Sequence, residues 1–336
     1  PPRLAHDLEE LIMKKGVTPV RDPETGEYNV HPFLRTIPSL EDVDQAALQS
    51  FVSPSEDTEL QRLGIKYNKR FASSTSSMTS FLSHLFFLVT NRYEITPTSG
   101  LTNETNRFVR YLHLPISLSI THPSDIAVME VDKGGVILPE EESQNILSPL
   151  GHLMEVMLTT PEDEFKSFLR TSSSSSKDSP SPPSLRPNVY HYARMSDFMI
   201  RSQLDCHFPY LSGFTFDLKS RAALATRMDP ANYMLHQGYE VLAQPGKFNS
   251  FDREFHDMSR SVMIKYAFQA RLGAMNGIFV AYHNTRDIFG FQYISLREMD
   301  KILVGNHHMG QRVFQMIMGL MSKILTRLNE RFRNKD

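Results

Sequence analysis

The spacing of apolar residues predicts helices along much of the chain. Leu4, Leu8 and Leu11 recur at helical spacing, which predicts an amphipathic helix over residues 3–15. A wide apolar face predicts a buried helix over residues 81–92, directly after a Ser/Thr-rich stretch. The same reasoning predicts short helices within 39–63 and longer ones over 150–169, 251–272 and 296–332, the last broken near 305–310.

Short runs rich in β-branched and aromatic residues predict strands in the second half of the chain. Residues 189–195, 197–206 and 213–219 are such runs, which predicts three consecutive strands of a meander. Residues 277–283 predict a compact buried strand. Earlier in the chain, two apolar runs within 126–138 flank Asp132-Lys133-Gly134-Gly135, which predicts a hairpin.

The order of these elements predicts an α/β (α+β) fold: a restriction-endonuclease-like αβββαβ core, with a mixed sheet flanked by helices and helical extensions at both ends. Residues 171–187 are almost all Ser and Pro, which predicts a disordered loop. That loop could link two domains or be an insertion within one. We expect an N-terminal helical and loop extension over 1–70 and a single nuclease-like domain over 71–336.

Composition narrows the classes of protein that the chain can represent. The 336 residues carry a formal net charge of −2, so no chain-wide basic field attracts nucleic acid, and a groove for a polyanion needs local clustering of Lys and Arg. The one cysteine excludes an internal disulfide and a cysteine-built zinc site. No apolar run approaches the roughly 18–20 residues that span a bilayer, and the first residues show no recognisable targeting signal.

Two carboxylates and an ammonium group are candidates for chemistry. Asp217 and Lys219 lie two apart on a predicted strand and therefore share a face, and Asp205 can meet them from the neighbouring strand. Two close carboxylates repel each other unless a cation lies between them, and oxygen ligands suit Mg²⁺ or Mn²⁺. A D-x-K triplet alone is more often a surface ion pair, but the apolar neighbours of this one predict a central strand, where unused charges are costly.

This arrangement resembles the PD-(D/E)XK nuclease superfamily, in particular its RecB-like branch. The resemblance implies that Asp205, Asp217, Lys219 and Gln269 are catalytic. It also implies that His84, Asp205, Asp217 and the Leu218 carbonyl bind Mg²⁺ or Mn²⁺. The stretch between Lys219 and Gln269 is long for the pattern, so Arg271 and Lys265 are alternatives to Gln269. His84 on an apolar helix could equally be a core histidine.

Basic residues near these positions predict a surface for nucleic acid, and five of them are its candidate ligands: Arg194, Arg201, Arg221, Lys265 and Arg271. Interleaved Tyr and Phe could stack on unpaired bases or belong to the core.

A second resemblance covers most of the chain. The segments 4–28, 71–84 and 195–219 look like a fungal family of mitochondrial RNA-processing proteins first known from petite mutants. The resemblance implies a mitochondrial matrix protein that trims 5′ ends and degrades transcripts. It also implies association with the inner membrane, without a transmembrane segment, and with the mitochondrial RNA polymerase.

The hypothesis that follows is a metal-dependent ribonuclease that hydrolyses single-stranded RNA in the 5′-to-3′ direction. One alternative is a catalytically inactive nuclease fold that binds RNA or an RNA polymerase. Another is a DNA exonuclease.

Overall fold

The computed structural model describes residues 1–43, 52–97, 101, 104–132, 146–169 and 188–332. Two five-stranded mixed sheets organise this part of the chain. Its α-helices are α1 (Thr58–Lys66), α2 (Thr75–Thr90), α3 (Leu147–Thr159), α4 (Glu162–Phe165), α5 (Leu224–Met228), α6 (Phe251–Ser261), α7 (Met263–Leu272), α8 (Leu296–Val304) and α9 (His307–Phe332).

The first sheet has the order β1-β10-β9-β8-β7. Its strands are β1 (Thr18–Pro19), β7 (Cys206–His207), β8 (Thr215–Ala222), β9 (Gly277–His283) and β10 (Ile288–Ser295). Strands β8 and β9 pair in parallel, and the other pairs are antiparallel. All seven residues of β9 are buried, as expected for a central strand covered on both faces.

The second sheet has the order β3-β4-β2-β6-β5. Its strands are β2 (Phe71–Ser74), β3 (Leu118–Thr121), β4 (Ala127–Val131), β5 (Tyr190–Met195) and β6 (Phe198–Gln203). The central strand β2 is parallel to both β4 and β6. Its Ser73 hydroxyl donates to the Met129 carbonyl over 2.7 Å, which satisfies a polar group that is fully buried.

Successive side chains on a strand point to opposite faces of the first sheet, and each face packs against its own hydrophobic core. In β9, Ile278 and Val280 face a core built with α2 and the helices α6 to α9, while Phe279 and Ala281 face the opposite side. On that opposite side they meet α3 and the N-terminal segment. In β8, Phe216 and Leu218 face the core on the α3 side, so Asp217 between them faces the side covered by α2 and α6 to α9.

The predicted mixed α/β fold is confirmed, with its sheets flanked by helices. The predicted meander is divided between the two sheets: β5 and β6 form an antiparallel hairpin in one, and β8 lies in the other. The chain leaves the second sheet after Gln203 and enters the first at Cys206. The 126–131 run forms β4, but β4 pairs with β2 and β3, and residues 136–138 lie outside the described residues.

Most helix predictions are confirmed with shifted bounds. The run 251–272 is divided into α6 and α7 at Val262, and Gly305, at φ 92°, ends α8 as the predicted break required. Serine side chains begin several of these helices: Ser250 accepts from Arg253 N over 3.1 Å and Ser295 accepts from Glu298 N over 3.2 Å.

The N-terminal segment forms a short 3-10 helix, Leu8–Met13, rather than an α-helix over 3–15. His6 and Asp7 adopt positive φ angles of 59° and 60°, which stops a longer helix. Its predicted apolar residues Leu4, Leu8, Leu11 and Ile12 are all buried against the first sheet. The domain boundary near residue 70 stays a prediction, and the predicted loop 171–187 lies outside the described residues.

No helix in the described ranges is both long and apolar enough to cross a membrane.

Candidate active site

Strand β8 carries the central pair of the predicted site. Asp217 and Lys219 share the face of β8 that is turned towards the helices, and Lys219 Nζ lies 2.5 Å from Asp217 Oδ2. The Asp217 side chain is 2% exposed and that of Lys219 is 18% exposed, so the carboxylate is enclosed and the lysine side chain is partly exposed. The structure thus brings these two residues together as predicted.

Asp205 joins this pair because of the register between β7 and β8. Cys206 pairs with Phe216 in the antiparallel ladder, which places the preceding residue, Asp205, opposite Asp217. Opposed residues have Cβ atoms about 4.5–5.5 Å apart. The Leu218 N–H donates to Asp205 Oδ2 over 3.0 Å, and this bond holds the carboxylate against β8.

The Asp217 carboxylate perturbs Asp205. Burial, followed by the neighbouring negative charge of Asp217, raises the pKa of Asp205 well above its ordinary value. The nearby Lys219 opposes this effect only in part. The pair therefore favours an additional positive charge, supplied either by a proton on Asp205 or by a bound cation.

Lys219 stays charged in this setting. Burial alone would lower the pKa of Lys219, but the charges of Asp217 and Asp205 outweigh it and raise that pKa above the ordinary value for lysine. The Tyr266 ring lies on the other side of the ammonium group, with its centroid 5.4 Å from Nζ. Lys219 is therefore a positively charged donor near neutral pH.

The donor chemistry of the site fits a hard divalent cation. Asp217 Oδ2 is buried and, although close to Lys219, accepts no well-aligned hydrogen bond within the described ranges. Such an oxygen is what a cation with oxygen ligands requires. However, in the described part of the chain no three His, Cys, Asp or Glu side chains come together as a metal-binding group, so the predicted set of His84, Asp205 and Asp217 is not assembled.

Helix α3 contributes two residues that the sequence prediction missed. The negative charge of Glu155 acts on Asp205 and raises its pKa further. His152 Nδ1 lies 3.7 Å from Glu155 Oε2, and its pKa is raised mainly by that carboxylate and lowered by Lys219. A signal was present in the sequence, since Glu155 is the single acidic or basic residue, histidine aside, in an otherwise apolar helix.

Gln269 lies on the helix that faces the site. It follows Tyr266 by three residues on α7, so both project from the same side of that helix. Because Tyr266 contacts Lys219, Gln269 lies along the side of α7 that approaches the site. Its catalytic role and that of the Leu218 carbonyl stay predictions.

His84 has different neighbours. It projects from α2, and its pKa is lowered mainly by burial and then by the positive charges of His113 and Lys265, against a hydrogen bond to the Leu114 backbone. The residues of the acidic group do not contribute to that shift. Lys265 lies beside His84, and His84 forms no metal-binding group with two acidic side chains of the described residues, so we do not assign it as a metal ligand.

Two of the five predicted RNA-binding residues are buried, and a third, Arg271, is largely enclosed in an ion pair. Arg201, 3% exposed, forms an ion pair with Asp57 at 2.7 Å, and Arg271 pairs with Asp300 between α7 and α8. Arg221 is 6% exposed, and burial followed by the charge of Arg227 lowers its pKa to about 10. The ion pairs of Arg201 and Arg271 join distant segments, and Arg221 is enclosed, so we do not assign these three residues to RNA binding.

The other two lie where a ligand can reach them. Arg194 is exposed on β5, where its guanidinium lies 4.4 Å from the Tyr67 ring centroid. Lys265 is half-buried on α7, with Nζ 5.2 Å from the Tyr111 ring centroid.

Fold and site together define a class of protein: a mixed α/β chain that carries a buried Asp-Asp-Lys group between the edge of a sheet and a layer of helices. The sequence profile of the family described as mitochondrial protein Pet127 matches residues 51–326, so the chain belongs to that family. This confirms the predicted resemblance to a fungal mitochondrial family and the predicted mitochondrial location.

Two curated relatives are similar to the chain. It is 36% identical over 334 residues to the mitochondrial mRNA degradation protein pet127 of Schizosaccharomyces pombe, covering 96% of this chain and 61% of that protein. It is 34% identical over 331 residues to the putative mitochondrial translation system component PET127 of Saccharomyces cerevisiae, covering 92% of this chain and 38% of that protein. The chain thus spans less than two thirds of each relative.

Solved structures with a related arrangement are more distant. K. lactis Dxo1, solved in complex with manganese, is 11% identical with a TM-score of 0.45, covering 98% of this chain and 76% of that one. Scheffersomyces stipitis Rai1 is 10% identical with a TM-score of 0.42, covering 94% of this chain and 85% of that one.

Proposed function

We propose that the chain is a metal-dependent ribonuclease of the PD-(D/E)XK type, which hydrolyses phosphodiester bonds in mitochondrial RNA. The observation that carries this proposal is the enclosed pair Asp205 and Asp217 beside the partly exposed Lys219. Two carboxylates with one ammonium leave one uncompensated negative charge in a buried place. An unpaired buried charge destabilises a fold, so its presence favours a functional role such as binding a cation.

Asp205 and Asp217 would hold Mg²⁺ or Mn²⁺, and the charge of Glu155 would add to the attraction of the site for a cation. A bound divalent ion supplies Lewis acidity and lowers the pKa of a bound water from about 15.7 towards neutral. The pair is already held in place by the backbone hydrogen bond from Leu218 to Asp205.

Lys219 contributes positive charge where the phosphate develops negative charge. Because its pKa is raised, its Nζ stays protonated and can donate to a non-bridging phosphate oxygen, but it cannot serve as a general base. The Tyr266 ring restricts the ammonium group on one side, which reduces the motion lost when a substrate binds.

RNA is the proposed substrate because one relative is named an mRNA degradation protein. Within this proposal, the enzyme acts in the matrix on single-stranded RNA in the 5′-to-3′ direction. Association with the inner membrane and with the RNA polymerase stays a prediction.

The test uses 5′-monophosphate single-stranded RNA with Mn²⁺ or with EDTA. We expect hydrolysis by the unchanged protein with Mn²⁺ only, and a loss of about 100-fold or more for Asp217→Asn, as for other charge-stabilising groups. The control is Asp300→Asn, which alters an equally buried carboxylate whose partners are Arg271 and His307. Equal rates for the unchanged protein and Asp217→Asn would overturn the proposal. A DNA strand of the same sequence tests the choice of substrate.

A second candidate function is a catalytically inactive RNA- or polymerase-binding protein. The observation that favours it is that no three-residue metal-binding group is assembled within the described ranges. In the same assay this alternative predicts RNA binding without hydrolysis, with or without Mn²⁺.

A further inference from the structure

A cavity of about 1220 Å³ lies outside the acidic site. It is larger than the roughly 300–1,000 Å³ of pockets for small molecules, so an extended ligand fits it better than a compact one. Its walls come from the two segments 91–97 and 105–113, together with Arg260 at the end of α6. None of these residues belongs to the site described above.

A two-stranded arm shapes this cavity. Ile95 N donates to Asn106 O over 2.9 Å and Phe108 N donates to Tyr93 O over 2.9 Å, which holds the two segments antiparallel. The arm is fastened to α6, because Arg260 Nε donates to the Arg107 carbonyl over 2.7 Å. The cavity wall is therefore held by backbone bonds rather than by side chains alone.

The described lining is strongly positive. Four arginines line it: Arg92, Arg107, Arg110 and Arg260. Glu94 is the single carboxylate among its described lining residues, and Arg260 also lies 3.7 Å from Asp257, which is outside the lining. Glu94 meets Arg107 over 3.3 Å, but their side chains are 59% and 77% exposed, so this ion pair contributes little. Arg110 is exposed and forms no ion pair within the described ranges. An anionic ligand is what this lining attracts.

The cavity also offers an aromatic surface. The Tyr93 ring is 51% exposed and is stacked nearly parallel to Phe87, at 6.1 Å between centroids and 4° between planes. A half-exposed ring held in one orientation is a platform on which an unpaired base can stack. Positive charge together with such a platform favours single-stranded nucleic acid over a purely anionic surface.

A series of contacts leads from this cavity towards the acidic site. Tyr111 follows Arg110 in the chain, and Lys265 Nζ lies 5.2 Å from the Tyr111 ring centroid. Tyr266, the next residue on α7, lies against Lys219 at 5.4 Å. Helix α7 thus carries one residue that contacts the cavity side and one that contacts the acidic site.

We propose that this arginine-lined cavity binds single-stranded RNA, with phosphates on Arg107 and Arg110 and a base stacked on Tyr93, as a second contact surface beside the acidic site. The choice of RNA rests on the proposed function. The binding itself does not require hydrolysis.

The experiment measures binding of a fluorescein-labelled single-stranded RNA of about 16 nucleotides, the upper end of typical site sizes, by anisotropy in EDTA. For the double variant Arg107→Gln/Arg110→Gln we expect affinity to fall about 10-fold or more. The slope of log affinity against log salt should also become shallower by about 1.4, since each phosphate contact to a single strand contributes about 0.7. Tyr93→Leu should weaken binding between about 5- and 150-fold.

The control is Arg62→Gln, which removes an exposed arginine from a surface ion pair with Glu59 on α1, outside the cavity lining. It should leave affinity and salt slope unchanged. Unchanged RNA affinity in both the double variant and Tyr93→Leu would overturn the proposal. The same holds if the double variant keeps RNA affinity and loses only binding to phosphatidylserine-containing vesicles. If the unchanged protein binds RNA through this cavity but hydrolyses none, the proposed function falls and this inference stands.

Discussion

Replacing Lys219 with methionine tests the electrostatic account of the acidic site. The change keeps an unbranched side chain of similar length and removes the ammonium group that lies 2.5 Å from Asp217 Oδ2. Two buried carboxylates are then left without their cation. We expect a less stable protein whose stability depends on divalent metal.

The size of the loss follows from the geometry. At an effective dielectric constant of about 20, unit charges at this separation attract by about 7 kcal/mol, and desolvation of the ammonium offsets part of that. Removing one partner of a buried pair costs about 3–5 kcal/mol. We expect about 3 kcal/mol, at the lower end, because the Lys219 side chain is 18% exposed.

The measurement is thermal unfolding with EDTA and with excess Mn²⁺. An unfolding entropy of about 2.1 cal/mol/K per residue over 336 residues is about 0.7 kcal/mol/K. A loss of about 3 kcal/mol therefore lowers the Tm by about 4 °C. With Mn²⁺ the difference between variant and unchanged protein should shrink, because the cation replaces the missing charge.

Arg271→Met is the control, because it breaks a similarly buried ion pair, with Asp300, away from the acidic site. Its loss of Tm should be the same with Mn²⁺ and with EDTA. If Mn²⁺ leaves the loss in Lys219→Met unchanged, or reduces the loss in Arg271→Met equally, the reasoning about a cation between Asp205 and Asp217 is refuted.

Three further predictions concern single residues. Burial and the charge of Asp217 raise the pKa of Asp205 in the folded protein. The stability of the metal-free protein should therefore fall as the pH rises from about 4, the pKa of an unfolded Asp, through that raised pKa. Unfolding experiments across pH should show a smaller fall for Asp205→Asn. Asp57→Asn keeps the N-terminal cap of α1 but removes the carboxylate charge that pairs with Arg201. The free energy of unfolding should therefore fall by about 3–5 kcal/mol, and RNA affinity should be unchanged. His84→Ala should leave the apparent Mn²⁺ affinity of the nuclease assay unchanged, and a fall of about 10–100-fold, as for altered metal-site residues, would restore His84 to the site.

The sequence was sufficient for features that depend on local periodicity. A period of two placed Asp217 and Lys219 on one face of β8, and the same alternation predicted the buried strand Gly277–His283. Helical spacing predicted α2, α6 and α7 and the break after α8. Strand β2 was missed because a Ser-rich run is typical of a polar loop. Its burial follows from its central place between β4 and β6, where the Ser73 hydroxyl donates to the Met129 carbonyl.

The charges were predictable, but their environments were not. Arg201 and Arg271 looked like RNA ligands in the sequence, and the tertiary structure encloses both in ion pairs with Asp57 and Asp300. His84 matched the helix-borne metal ligand that the resemblance to PD-(D/E)XK nucleases implied, yet the packing of α2 places it beside Lys265. The burial of a side chain and the charges beside it depend on contacts between distant segments, so they cannot be predicted from residue type alone.

The amino-acid sequence was enough to predict that Asp217 and Lys219 share one face of a strand with Asp205 nearby, and to indicate the family. The tertiary structure alone decided that Asp205 stands opposite Asp217, through the register of β7 on β8, and that Glu155 approaches from α3. It alone gathered four arginines from two loops and a helix around one cavity. The physical reason is that periodicity acts over a few residues, whereas register and packing join residues that are far apart in the chain.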